Sequence, residues 1–508
     1  MHESFSKSAA VLALLIAAVP SFGPSAQAAG PLPSSLGGSV GPSRASGLGA
    51  GLPDCPRAPW RCGVVDVPVD RQDPGLGTVP IHYYILAHTD DSRPPQEPVL
   101  VSPGGPGASL WQDNGFLPIE AWQGRHDTIL VDPRGVGESG TIRCPGLDAG
   151  VSTLDALGMA VAACAGILGA ASGRYGSADA ALDVEAVRQA LAIDAFDYYS
   201  VSYATMTAQA YAARFPDRLH ALVLDSGFPA GDTLDAYYWG IQYPLAWLRV
   251  IDLVCSRDAA CAAAYPEPSK LIERLITQVQ SAPIAASPGA KGAVDEAAVV
   301  AMLASVGGAP WQVRPRTLLD AAHAALDGNE PASLLLLAAD SSMFSGPSDP
   351  ASFSNGDNVA AQCADITLPW GPSDPVASRP AELEAAAAAL PADTFAPFTR
   401  DGYIAGVMPF LAMCLEWPVQ ERNARILPSG ATWPDVPTLI IGGDTDTQAP
   451  IDANRGLLEQ FPHAVEVVVA GAAHNAAAPF YGSCGGRVVN GFLDTLSADP
   501  KACATPGS

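Results

Sequence analysis

The chain has 508 residues, 48% of them hydrophobic, which is enough for a sizeable core and for either several domains or one domain with a large insertion. Its formal net charge is −25. So acidic a surface argues against nucleic acid and anionic membrane as partners, and suits a cationic one such as a free peptide amine.

Taken in chain order, residues 1–28 have the pattern of a secretory signal. Lys7 gives a weak positive start, Ala9–Val19 is a short apolar run, and Ala26–Ala28 offers an A-x-A cleavage site. No cysteine closely follows that site, so a lipid anchor is not expected, and no other apolar run stands out as long enough to span a membrane. Residues 29–54, rich in Gly, Ser and Pro, are expected to be a flexible linker.

Ordered structure is expected from about Cys55. Cys62–Asp70 and Val79–His88 alternate like an antiparallel pair of strands. Glu97–Ser102 and His126–Asp132 are nearly continuous apolar runs, which suit strands buried on both faces of a sheet. Asp179–Ala192 has helical spacing. Phe196–Pro216 reads as a strand, a tight turn at Ser202 and a helix, and Leu219–Ser226 as a further strand. This β-α-β-α order predicts a mostly parallel sheet flanked by helices. Strand-like runs then give way to alanine-rich helical segments, among them Ala321–Ala339 and Ala381–Leu390. They return at Val436–Asp444 and Ala464–Gly471, with a helix over Asp452–Gln460 between. The expected organisation is a sheet core in two parts, 55–228 and 430–508, with a mainly helical cap inserted at 229–429.

The ten cysteines fall into near neighbours: Cys55 and Cys62, Cys144 and Cys164, Cys255 and Cys261, Cys363 and Cys414, Cys484 and Cys503. An even count in an exported chain implies disulfides, and pairing by proximity is the expectation. There is no C-x-x-C, and no histidine lies close enough in sequence to complete a zinc site. No metal or cofactor is expected.

A serine nucleophile needs a base, an acid to orient the base, and donors for an oxyanion. Ser202 sits where a strand passes into a helix, the place of the nucleophile in a G-x-S-x-G elbow, but Ser200 and Ala204 stand where the glycines would be. Both are small enough to keep the turn possible. Asp446 follows the strand at Val436–Asp444, and His474 follows the next strand. Ser, Asp and His in that order, each after a strand, is the α/β-hydrolase order. Asp444 is a rival acid and Asp225 a third candidate. Ser200 is a rival nucleophile, but it would lie inside the strand. The run Ser102–Ser109, "SPGGPGAS", follows a buried strand and places Gly105 to give one oxyanion donor. The N–H of Tyr203 would give the other.

Together "SPGGPG", "LVDPRGVGESG" (Leu130–Gly140), "YYSVSYATMTAQAYAARFPDRL", "GGDTDTQAP" and "AGAAHN" resemble the secreted tripeptidyl aminopeptidases, which belong with the proline iminopeptidases among α/β-hydrolase exopeptidases. The resemblance runs from about Cys55 to Cys503 and extends to the cap segments "CSRDAACAAAYP", "AAQCAD" and "CLEWP". It departs at Ser200 and Ala204, where the family usually has glycine, at Pro103, where related exopeptidases often have histidine, and at Ala449, where threonine is common. The triad and oxyanion residues are all retained.

The resemblance implies a serine exopeptidase that removes short peptides or single residues from a free N-terminus. An esterase with the same triad is the alternative, because acyl-transfer chemistry is shared and a fold does not fix a substrate. A non-catalytic binding protein with a vestigial elbow is a third reading. An acidic cap residue facing the site, to take the α-amine, would separate the first two, and Asp365 and Glu416 are the candidates.

Overall fold

The computed structural model describes residues 47–151, 153–230, 243–285, 293–307, 312–340, 347–371, 373–391, 393–418 and 425–506. The expected signal segment and the linker as far as residue 46 lie outside them. Residues 47–52 are turns and bends, Asp54 bridges to Arg61, and Leu48 and Leu52 pack on the core rather than standing free.

Eight strands, β1 (Arg61–Pro68), β2 (Thr78–Leu86), β3 (Val99–Ser102), β4 (Thr128–Val131), β5 (Phe196–Val201), β6 (Leu219–Asp225), β9 (Thr438–Gly443) and β10 (Val465–Val469), form one sheet in the order β1-β2-β4-β3-β5-β6-β9-β10. β1 and β2 pair antiparallel, and β2 runs antiparallel to β4. β3, β4, β5, β6, β9 and β10 are parallel throughout. Every residue of β3, β4, β5 and β9 is buried, which is why these strands lack alternation: helices cover both faces. Helices Ser177–Ala190 and Ala204–Arg214 pack with one face, and Cys484–Thr495 with the other.

The register puts the carboxyl ends of these strands in one row. Ser102 pairs with Ser200, Val201 with Asp225, Asp225 with Ile441 and Gly443 with Val469. The chain leaves β3 for β4 on one side and later takes up β5 on the other, so a crevice is expected beyond these ends.

Beyond β6 the chain builds mostly helices, including Tyr243–Arg257, Pro268–Ser281, Glu296–Ser305, Pro315–Asp327, Asn355–Asp365, Arg379–Ala389 and Arg400–Ala412. They enclose a core of their own around Trp247, Leu275, Leu303, Leu319, Tyr403 and Trp417. Three features depart from the sequence reading. A short ribbon, β7 (Ile284–Ala285) with β8 (Ala293–Val294), lies in the cap, where no strand was expected. Two-residue strands are too short to show alternation.

The other two departures concern helix Leu154–Leu168, which precedes β5 in sequence yet packs Leu157, Val161 and Cys164 into the cap core. The cap therefore draws on a segment outside 229–429. Leu154–Ala171 is also long and apolar enough, by length and composition, to cross a membrane. That corrects the expectation that no such run follows residue 28. Here the stretch is stitched to the fold by Cys144–Cys164.

All five neighbouring cysteine pairs are bonded: Cys55–Cys62, Cys144–Cys164, Cys255–Cys261, Cys363–Cys414 and Cys484–Cys503. No free cysteine remains among the described residues.

Candidate active site

β5 ends at Val201, and Ser202 turns the chain with φ of 56°, in the left-handed region that non-glycine residues seldom occupy. Its N–H donates to the Asp225 carbonyl of β6 at 2.9 Å, and its carbonyl accepts from Thr205 N at 3.0 Å and Thr205 Oγ1 at 2.7 Å. Those bonds hold the strained turn between strand and helix. The Ser202 side chain is left half-buried at the N-terminus of helix Ala204–Arg214. Ser200 is fully buried, and its hydroxyl donates to the Val223 carbonyl at 3.0 Å, inside the sheet. Ala204 is buried as well, so the two positions that lack glycine hold small, packed side chains.

The Ser202 hydroxyl lies 2.8 Å from His474 Nε2, and His474 Nδ1 lies 2.9 Å from Asp446 Oδ2. With Nδ1 protonated, the ring donates to Asp446 and accepts from Ser202. Asp446 is fully buried, and its other oxygen, Oδ1, accepts from the N–H groups of Gln448 at 2.8 Å and Ala449 at 2.9 Å. Burial alone would lower the His474 pKa. The charge and hydrogen bond of Asp446, with the charge of Asp225, outweigh it and hold the imidazole above its usual 6.5.

The rival acids are engaged elsewhere. Asp444 takes both Arg257 nitrogens, at 2.9 and 2.6 Å, and the Gly471 N–H at 2.8 Å, tying a cap helix to the loop beside the triad. Asp225 accepts from Tyr199 Oη at 2.6 Å and from the N–H groups of Ala476 at 2.7 Å and Ala477 at 3.1 Å.

The glycine loop after β3 lies over the serine. A Cβ on Gly104 would come within 2.8 Å of Ser202 Cβ, so this position requires glycine. Gly105, the next residue, has φ of 111°, open only to glycine in practice. Asp132, at the end of β4, holds this loop: its carboxylate accepts from Ser109 Oγ at 2.6 Å and Leu110 N at 2.8 Å. Burial pushes Asp132 up to about 6, and those same bonds oppose the rise. From above, cap helix Asn355–Asp365 clamps it. Asn358 Nδ2 donates to the Pro106 carbonyl at 2.9 Å, and Ser354 N to the Gly107 carbonyl at 2.8 Å. The sequence reading missed Asp132 and Asn358. Asp132 lies in the quoted "LVDPRG", and its place after a buried strand was the signal; Asn358 carried none.

Tyr203, buried behind the serine, donates its hydroxyl to Asp365 Oδ2 at 2.9 Å. Asp365 also accepts from Ser177 N at 2.9 Å and is half-buried; burial pushes it up to about 6, against the bonds from Ser177 and Tyr203. On the same helix Asp357 is almost fully buried, and its Oδ1 accepts no hydrogen bond. Burial, then the charge of Asp365, raise its pKa well above the ordinary carboxylate value, with Arg134 opposing. Glu416 is not brought to this group; it lies against Gly158 of helix Leu154–Leu168 and acts on Arg379. Among the described residues no group of His, Cys, Asp and Glu could hold a metal ion.

A family model described as alpha/beta hydrolase fold matches residues 97–263, and one described as TAP-like protein matches residues 405–503. The chain has the α/β-hydrolase fold. The YuaR protein of Escherichia coli K12 is 26% identical over 247 residues, 45% of this chain and 49% of its own length. The tripeptidyl aminopeptidase of Streptomyces coelicolor is 27% identical over 256 residues, 44% of this chain and 47% of its own. The chain thus spans about half the length of these curated relatives. The serine protease Hip1 of Mycobacterium tuberculosis is 26% identical over 438 residues, 78% of each chain. The arrangement of Ser202, His474 and Asp446 is the one serine hydrolases use.

Proposed function

We propose that this α/β-hydrolase is a secreted serine exopeptidase that cleaves peptides from a free N-terminus through an acyl-enzyme. The observation that carries the proposal is the continuous relay from Ser202 through His474 to Asp446 on a strained elbow. Ser202 Oγ attacks the scissile carbonyl carbon while His474 Nε2 takes its proton. Asp446 holds the ring in the required tautomer and stabilises the imidazolium. The N–H groups of Gly105 and Tyr203 receive the oxyanion, a contribution of about 10²–10³ in rate for each donor of this kind. His474 then protonates the departing amine and later activates the water that releases the acyl group.

The α-ammonium of the substrate would be held by Asp365. Its support is the hydrogen bond that joins Asp365 to the Tyr203 side chain, directly after the nucleophile. Asp357, buried on the same helix with an unpaired oxygen, is pushed toward its neutral form by burial and by the charge of Asp365, which leaves Asp365 as the carboxylate of the pair. Export is supported by the five disulfides and the signal-like start of the sequence. The relatives named tripeptidyl aminopeptidase and serine protease support a peptide as the substrate.

The test compares free and N-acetylated tripeptidyl and aminoacyl chromogenic amides with a short-chain ester. The exopeptidase reading expects turnover of free-amine amides, a loss of at least about tenfold on N-blocking, and removal of that preference in Asp365→Asn. Equal turnover of blocked and free amides, with a faster ester, would leave the esterase reading. A folded protein that neither turns over any substrate nor labels with a fluorophosphonate would be a binding protein.

A further inference from the structure

The loop that carries His474 is fastened to the neighbouring strand by a second carboxylate outside the triad. Asp225 ends β6 and is fully buried. Its Oδ1 accepts from Ala476 N at 2.7 Å and Ser226 Oγ at 3.1 Å, and its Oδ2 from Tyr199 Oη at 2.6 Å and Ala477 N at 3.1 Å. The Ser226 hydroxyl in turn accepts from Asn475 N at 2.9 Å. The three residues directly after His474 thus give their N–H groups to one carboxylate and one hydroxyl. Ser226 and Asn475 are both left-handed, with φ of 51° and 63°, so the loop and its cradle are both held in sparsely populated backbone states.

We propose that Asp225 and Ser226 are positioning residues that set the imidazole of His474 between Ser202 and Asp446. The proposal rests on the reading of His474 as the base. A carboxylate is required because all four groups that meet it are donors. An amide there would turn an NH₂ toward one hydroxyl, which can reverse and accept, and toward one backbone N–H, which cannot, so a hydrogen bond to the His474 loop is lost and donor is set against donor. A misplacement of about 1 Å in a proton-transfer group is enough to cost on the order of 10²-fold in rate.

The charge of Asp225 also bears on the ring. His474 faces Asp446 at Nδ1 and Ser202 at Nε2, with Asp225 under its loop and the Tyr481 hydroxyl, itself influenced by Arg314, on its carbonyl. Of these, Asp446 and Asp225 raise the imidazole pKa.

The test is Asp225→Asn in the full chain, read by kcat and KM on a tripeptidyl amide and by NMR titration of the His474 imidazole. We expect kcat to fall by roughly 10–100-fold with KM changed less than about threefold, and the imidazole to titrate at lower pH than in wild type. Ser226→Ala, which keeps the carboxylate, should lower kcat by a few-fold and leave the titration in place. A folded Asp225→Asn with wild-type kcat and an unmoved titration would overturn the proposal. If Asp225→Asn does not fold, wild-type kcat in Ser226→Ala overturns it. Activity in His474→Ala would instead refute the base assignment, and the imidazole titration would still decide the placement by Asp225.

Discussion

Replacing Asp446 with asparagine changes one atom, and the structure dictates which way the amide must face. Oδ1 of Asp446 accepts two backbone N–H groups, from Gln448 and Ala449. An asparagine keeps both bonds only by placing its carbonyl oxygen there, which turns the NH₂ toward His474 Nδ1, now 2.9 Å from Oδ2. Nδ1 must then accept, the proton moves to Nε2, and Nε2 can no longer take the proton of Ser202. A fall of about 10⁴ in kcat is the magnitude for a triad held in the wrong tautomer, and at about 1.36 kcal/mol per decade that is roughly 5 kcal/mol of transition-state stabilisation. Stability should change little, because every hydrogen bond at 446 keeps a partner. The assay is kcat/KM on a free-amine tripeptidyl amide, the rate of fluorophosphonate labelling and the melting temperature. Asp444→Asn is the control. It should weaken the Arg257 link and lower the melting temperature while keeping most activity. An Asp446→Asn protein within about tenfold of wild type, beside an inactive Asp444→Asn protein, would refute the reasoning.

Ser202→Ala should abolish both turnover and fluorophosphonate labelling, whereas Ser200→Ala, which loses only a hydrogen bond to Val223 within the sheet, should keep most activity; the opposite result would move the nucleophile by two residues. The pH dependence should separate two groups. His474 is competent only when neutral, so kcat should fall with acid along a limb centred above the ordinary histidine value of 6.5. Asp365 binds a cation only when ionised, so KM for free-amine substrates, but not for an ester, should rise as pH falls through about 6. Identical KM profiles for amide and ester would remove Asp365 from amine recognition.

Much of this protein could be read along the chain, because its strongest signals are local. A strand buried on both faces must be apolar at every position, so β3, β4, β5 and β9 stand out as continuous runs. A strand followed at once by a serine and a helix marks the elbow, and later strands each followed by Asp or His mark the other two members. Near-neighbour cysteines could be paired because short separations favoured it.

What the chain could not decide was which groups touch when strands distant in sequence lie side by side. Asp225, Asp444 and Asp446 each end or follow a strand, and only the pairing of β6, β9 and β10 shows that Asp446 meets His474 while the other two hold loops. Glu416 and Asp365 were equal candidates until the packing of the cap put one beside Tyr203 and the other against Gly158. Helix Leu154–Leu168 is apolar on nearly every side, so its sequence does not name the face that packs, and only the folded cap chooses Leu157, Val161 and Cys164. Periodicity fixes which side of an element is buried; the partner across the interface is chosen by register and by the path of the connections, and those are properties of the whole chain.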